Sequence, residues 1–205
     1  MKKQPTQGRS RQMVDALIEA TARTIAERGW PATTTNHVAS RAGVSVGSLY
    51  QYFESREDLL AALMERERAR ILCRLEEAMP SLSEEAPRIA IRRLLEIAFE
   101  EGARDEPLFI AIDRDLQSLG AAEFADILNG YMLDALRLIL SQRYAEFGPM
   151  DAPTVAFMLS NGTVMVVTRF FSQKPKGVTQ ERLLDELTDL YAGYFESKLR
   201  PRPSA

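Results

Sequence analysis

The sequence predicts an all-α fold of about nine helices, and three observations carry that expectation. Apolar residues recur at helical spacing along nearly the whole chain. Successive segments are parted by Gly, Pro or a capping Asp, Ser or Thr, and no stretch shows the strict alternation of a half-buried strand. The 205 residues, 45% hydrophobic and 27% charged, are enough to bury one core or a small head joined to a larger body.

Taken in order, Val14, Leu17, Ile18, Ala22 and Ile25 place a first helix from about Ser10 to Arg28, which Gly29 and Pro31 stop. The threonines at 33–35 offer caps for a short second helix carrying Val38 and Ala39 inward, and Gly43 ends it. Ser45 caps a third. Ser55 followed by Asp58 resembles a capping box with the shorter acid, and the apolar positions after it predict a long fourth helix to Met79. Beyond "MPSLSEEAP" the spacing predicts helices near 84–104, 106–118, 121–146, 152–173 and 179–199, with the tail 201–205 disordered.

Charge divides the chain unevenly. Residues 1–56 hold eight Lys/Arg against four Asp/Glu, and the remainder holds 18 against 25, so the net charge of −3 conceals a basic head on an acidic body. The head is then the part suited to a polyanion. Cys73 and His37 are each the only residue of their kind. That excludes a disulfide within one chain and a Cys/His metal site, and it leaves histidine-based catalysis poorly supplied. With no glycine-rich phosphate loop either, neither enzyme activity nor a cofactor is expected. The apolar stretch "GTVMVVT" at 162–168 is far too short for a bilayer, and no apolar stretch follows the basic N-terminus. A cytoplasmic protein without a membrane partner is expected.

The stretch "RAGVSVGSLYQYF" at 41–53 joins two short helices through a glycine-containing turn, the sequence form of a helix-turn-helix. Ala39 and Val44 close the two helices on each other, while Leu49 and Phe53 face the small core. Ser45, Val46, Gly47, Ser48, Tyr50, Gln51 and Tyr52 are left outside. Small residues there permit close approach to base edges, and hydroxyls and amides supply hydrogen bonds to bases and phosphates.

"ATTTNHVASRAGVSVGSLYQYFESREDLL" resembles the DNA-binding head of the TetR family of bacterial transcriptional regulators, and the match covers residues 10–64. The resemblance implies that Thr33, Thr34, Tyr50, Tyr52 and Arg56 are phosphate anchors. It also implies that Ser45, Val46, Gly47, Ser48 and Gln51 face the bases. Many members carry lysine where this chain has Val46, so one phosphate contact is missing and an apolar contact to a thymine methyl becomes available. Domain limits follow: residues 1–56 form the DNA-binding head and 57–200 the effector-binding and dimerisation body.

The resemblance implies that the body binds a small molecule and forms a dimer. Independently, the helix at 152–173 is apolar on nearly every side and so calls for burial on nearly every side. Val155, Leu159, Gly162 and Val166 make one stripe, and Leu183, Leu187, Leu190, Tyr191 and Tyr194 make a second on the last helix. Paired with their symmetry mates, these predict a four-helix interface of a twofold homodimer. Phe99, Phe109, Ile112, Phe124, Met132, Met158, Asn161 and Met165 are candidate pocket residues, with "DRD" at 113–115 either supplying charge to a ligand or forming a solvated face. The expected function is a dimeric repressor released from a palindromic operator by a small-molecule effector. Two alternatives stay open: a DNA-binding regulator governed by a protein partner, and an all-helical enzyme.

Overall fold

The computed structural model describes residues 7–116 and 151–198, except for the side chains of residues 7–9, Ser83, Asp113 and Leu116. Every regular element among them is a helix: α1 (Gln7–Arg28), α2 (Thr35–Ala42), α3 (Val46–Leu49), α4 (Arg56–Glu84), α5 (Pro87–Arg104), α6 (Glu106–Leu116), α7 (Ala152–Gln173) and α8 (Gln180–Glu196). The further helix expected near 121–146 lies outside the described residues.

One compact unit gathers the chain up to Ala69 together with α6 from Pro107. Its core joins Leu17, Ile25, Trp30, Val38, Leu49, Phe53, Leu59 and Leu63 to Leu108 and Ala111 of α6. A head ending at residue 56 is therefore too small. The first half of α4 and most of α6 bury their apolar faces with it, and the α6 contribution arrives some fifty residues later in the chain. The buried hydroxyls of Thr21 and Thr24 donate to the carbonyls of Leu17 and Ala20 one turn back, whereas the buried Trp30 Nε1 meets no hydrogen-bond partner among the described residues. Gly29, at φ 78°, ends α1 in the left-handed region where a side chain would be strained.

The second unit gathers Arg70–Glu106 with α7 and α8. Here α4 runs past Met79 and through Pro80 to Glu84. The extra turn is held by Leu82, fully buried beside Leu75, Ala90 and Leu94, and that burial offsets the backbone hydrogen bond which proline cannot donate. The linker is therefore shorter than "MPSLSEEAP" suggests, and Pro87 opens α5. Phe99 of α5 is fully buried and meets Phe170 and Phe171 of α7 with ring centroids 5.7 and 6.4 Å apart. A Cβ at Gly102 would lie 2.6 Å from the Phe171 ring, so the helices approach closely there because that residue is glycine. Tyr191 of α8 accepts a hydrogen bond from Thr163 of α7 and donates to the Leu159 carbonyl. Burial pushes its phenol above the ordinary tyrosine value.

By length and composition α7 is long and apolar enough to cross a membrane, although its longest uninterrupted apolar run is short. Ala156, Ser160, Thr163, Val167 and Phe171 face inward. Phe157, Met158 and Met165 face outward, 61%, 63% and 56% exposed.

Candidate nucleic-acid interface

The helix-turn-helix is built from caps that the local sequence dictates. Thr34 precedes α2 with extended backbone and accepts from the His37 amide, and Gly43 at φ 71° closes the helix. The Val44 amide donates to Ala39 across that turn at 3.0 Å. Ser45 then caps α3, its hydroxyl accepting from the Ser48 amide at 3.0 Å. Leu49 and Phe53 are buried, as their spacing predicts. Reciprocal bonds between Ser55 and Asp58 open α4: the Asp58 amide donates to Ser55 Oγ, and the Asp58 carboxylate accepts from the amides of Glu54 and Ser55.

What remains outside is a surface of small, hydroxyl-bearing and aromatic side chains. Tyr50 is 52% and Tyr52 37% exposed, and Gln51 and Gly47 are exposed beside them. A Cβ at Gly47 would meet only Ser45 Oγ, at 3.9 Å, so the front of α3 is open to close approach. The Tyr50 hydroxyl lies 3.4 Å from Thr35 Oγ1, which ties the exposed ring to the start of α2. Thr35 belongs to this surface and was not singled out from sequence; its place one residue after the cap was the available signal.

Two sequence expectations need revision here. Thr33 is not a phosphate anchor: it is 1% exposed, and its hydroxyl donates to the Gly29 carbonyl at 2.7 Å. In a run of three threonines only one can cap, and the first turned inward to bond the preceding loop. Val46 is only half exposed and packs against the head core, so part of it is spent on folding.

Arg56 is half-buried. Its guanidinium carbon sits 4.6 Å from the centroid of the Trp30 ring, Nη1 donates to the Thr33 carbonyl at 3.1 Å, and Nε donates to Glu57. Its Nη2 has no protein partner among the described residues. On the neighbouring face, a recess is lined by Thr24, Arg28, His37, Ser40 and Arg41. His37 is turned into its own loop, with Nδ1 3.0 Å from the Ala32 carbonyl oxygen.

Six of the expected pocket residues lie among the described ones, and their surroundings differ. Phe99 is core, and Ile112 packs on the head core. Phe109 is half-buried in α6, Met158 and Met165 are exposed, and the Asn161 amide donates to the Phe157 carbonyl of its own helix at 2.8 Å. Asn161 thus finds one partner within its own helix. Asp115 of the "DRD" cluster is 7% exposed, neither a ligand group nor a solvated one. Phe124 and Met132 lie outside the described residues. No group of three potential metal ligands occurs among the described residues.

The expected dimer stripes are largely spent inside the subunit. Val155, Leu187 and Tyr191 are buried within it, and a Cβ at Gly162 would lie 3.0 Å from the subunit's own Tyr191 hydroxyl. Leu159, Val166, Leu183 and Tyr194 are half-buried. Of the residues named, only Leu190, 66% exposed, faces fully outward.

A family model for bacterial regulatory proteins of the tetR family matches residues 17–63. The chain is 27% identical over 124 residues to the fatty acid metabolism regulator protein of Bacillus subtilis (strain 168), covering 59% of this chain and 61% of that protein. It is 35% identical over 92 residues to the HTH-type transcriptional regulator BetI of Burkholderia mallei (strain NCTC 10229), covering 45% and 47%. The match thus spans about half to three fifths of these curated relatives' length. The fold is shared with the transcriptional regulator FadR from Bacillus subtilis in complex with stearoyl-CoA, at TM-score 0.72 and 24% identity over 86% of this chain and 96% of that one.

Proposed function

We propose, from the premise that this chain belongs to the TetR family of bacterial regulatory proteins, that it is a dimeric repressor whose head binds a palindromic operator and whose body releases it when a small molecule binds. The observation that carries the reading is the outer face of α3, where Gly47 leaves the backbone open while Tyr50, Gln51 and Tyr52 stand exposed around it. Thr34, Tyr50, Tyr52 and Arg56 serve as phosphate anchors, and Gly47, Ser48, Gln51 and the exposed edges of Ser45 and Val46 meet base edges. Twofold pairing places two such faces one helical turn apart, so the bound site is an inverted repeat.

The second copy covers the outer face of α7. Phe157, Met158 and Met165 there, with Leu190 on α8, are large apolar side chains left in water, and a like surface on a symmetry mate would bury them. This replaces the stripe through Gly162. For the effector, the names of the relatives point first to fatty-acyl compounds, and stearoyl-CoA, bound in the Bacillus subtilis FadR structure, is the first ligand to test.

Selection of duplexes from a random pool by the full-length protein tests the whole reading. The expected result is an inverted repeat bound by two subunits and released by stearoyl-CoA, which also raises the melting temperature by mass action. Recovery of no duplex above background removes the DNA-binding function. Release by none of a panel of acyl thioesters and small metabolites removes the effector half alone.

A further inference from the structure

Among the described residues, the polar contacts between α6 and the turn after α1 meet in Asp115. Its carboxylate Oδ2 accepts the Trp30 amide at 2.6 Å, across 85 residues of sequence, and Oδ1 accepts from Arg114 Nε at 2.9 Å. The Trp30 ring carries Arg56, whose guanidinium carbon lies 4.6 Å from the ring centroid. Between them the turn 29–33 is closed at both ends: Thr33 Oγ1 donates to the Gly29 carbonyl, and the Thr33 carbonyl accepts from Arg56. Gly29 leaves the room this needs, since a Cβ there would lie 2.7 Å from Asp115 Oδ2.

We infer that Asp115 is a positioning residue for DNA binding, acting through Trp30 to hold the Arg56 guanidinium where it meets a phosphate. The inference rests on the DNA-binding reading above. Arg56 is a long side chain with four rotatable bonds, and a phosphate contact gains most when the fork is already aimed. The indole beneath it and the Thr33 carbonyl beside it do the aiming. Both belong to one short turn, and that turn is pinned by a carboxylate 85 residues further along the chain. Asp115 makes no contact with DNA in this scheme, and its charge is already matched by Arg114. Its effect on binding passes through Arg56 alone.

That restriction makes it testable in the full-length protein against a duplex selected by the wild type from a random pool. Asp115→Ala is expected to weaken binding about tenfold, the scale of one charge-assisted hydrogen bond and one cation–π contact, and to lower the salt slope by about one phosphate. Asp115→Asn keeps an acceptor for the Trp30 amide and is expected to stay within about threefold of wild type. In an Arg56→Ala background, Asp115→Ala is expected to add nothing. Trp30→Leu, which removes the ring but keeps the amide, provides the same comparison if Asp115→Ala does not fold. Trp30 is the only tryptophan in the chain, so its emission reports the turn directly: it should shift in Asp115→Ala and not in Asp115→Asn.

Independent effects of Asp115→Ala and Arg56→Ala that multiply in the double variant, or a salt slope unchanged in Asp115→Ala, would overturn the inference and leave Asp115 a purely structural residue. Failure of the wild type to select any duplex overturns the DNA-binding reading first and the inference with it. The two failures are therefore distinguishable.

Discussion

The head and the body each expose large side chains, yet of opposite chemistry. Around α3 the exposed rings are Tyr50 and Tyr52, each ending in a hydroxyl, and they stand among serines, a glutamine and a glycine. On α7 the large exposed apolar side chains are Phe157, Met158 and Met165, which end in carbon or sulfur and can donate nothing. A surface that keeps donors and acceptors available suits a partner that stays hydrated and charged. One that displays several large apolar ends gains most from a partner that removes them from water, so the two regions call for different partners within one chain.

The largest expected effect breaks the apolar side of this contrast. Met158→Glu combined with Met165→Glu should leave each subunit folded, since both side chains already face solvent, and should convert the proposed dimer to monomers in sedimentation analysis. Loss of the second head then costs roughly a hundredfold or more in operator affinity through lost effective concentration. A dimer that persists with unchanged affinity would move the interface elsewhere.

Next comes the turn that supports the polar side. Gly29→Ala places a methyl group at φ 78° and against the Asp115 carboxylate, which should destabilise the head by about 2–4 kcal/mol from strain and overpacking. Denaturant melts followed by Trp30 fluorescence measure it.

Smaller effects sharpen the comparison within α3 itself. Ser45→Ala removes the cap and should cost about 1 kcal/mol of stability. Gly47→Ala, facing open space, should stay within about 0.5 kcal/mol while changing which duplexes are selected. Stability and selection therefore separate at positions two residues apart.

The smallest effect is a pH dependence. The hydrogen bond from Arg114, aided by the Trp30 amide and opposed by burial, holds the Asp115 carboxyl below the ordinary carboxylate value. A lowered folded-state value means stability that is fully present above the unfolded-state value and lost as pH falls through the folded one. The melting temperature of the wild type should therefore exceed that of Asp115→Asn near neutrality, and the gap should close below about pH 4.

How much of this was legible in sequence follows the range of the interactions. The all-helical class, the caps at Thr34, Ser45 and Ser55, the buried Leu49 and Phe53 and the exposed outer face of α3 were legible, because each is fixed by residues within a turn or two of itself. What was misread depended on distant partners. Thr33 looked like its neighbours until the Gly29 carbonyl claimed it, and Asp115 looked like a surface charge until the Trp30 amide did. The stripe through Gly162 had sound helical spacing, but spacing does not say whether a face meets another helix of the same subunit or of a second one. Here Tyr191 of the same subunit took that side, and the uncovered side carried the methionines first assigned to a pocket.

The openness of α3 also bears on how such a chain changes over generations. Folding of the motif draws on Leu49, Phe53 and the Ser45 cap, whereas Gly47 and Gln51 touch little of the protein they belong to. Mutations at these two positions are therefore nearly invisible to selection for a folded protein and visible to selection for a target. After gene duplication, one copy can drift to a new regulatory site through one or two substitutions without first accumulating stabilising changes elsewhere, and the parent copy keeps its own site meanwhile.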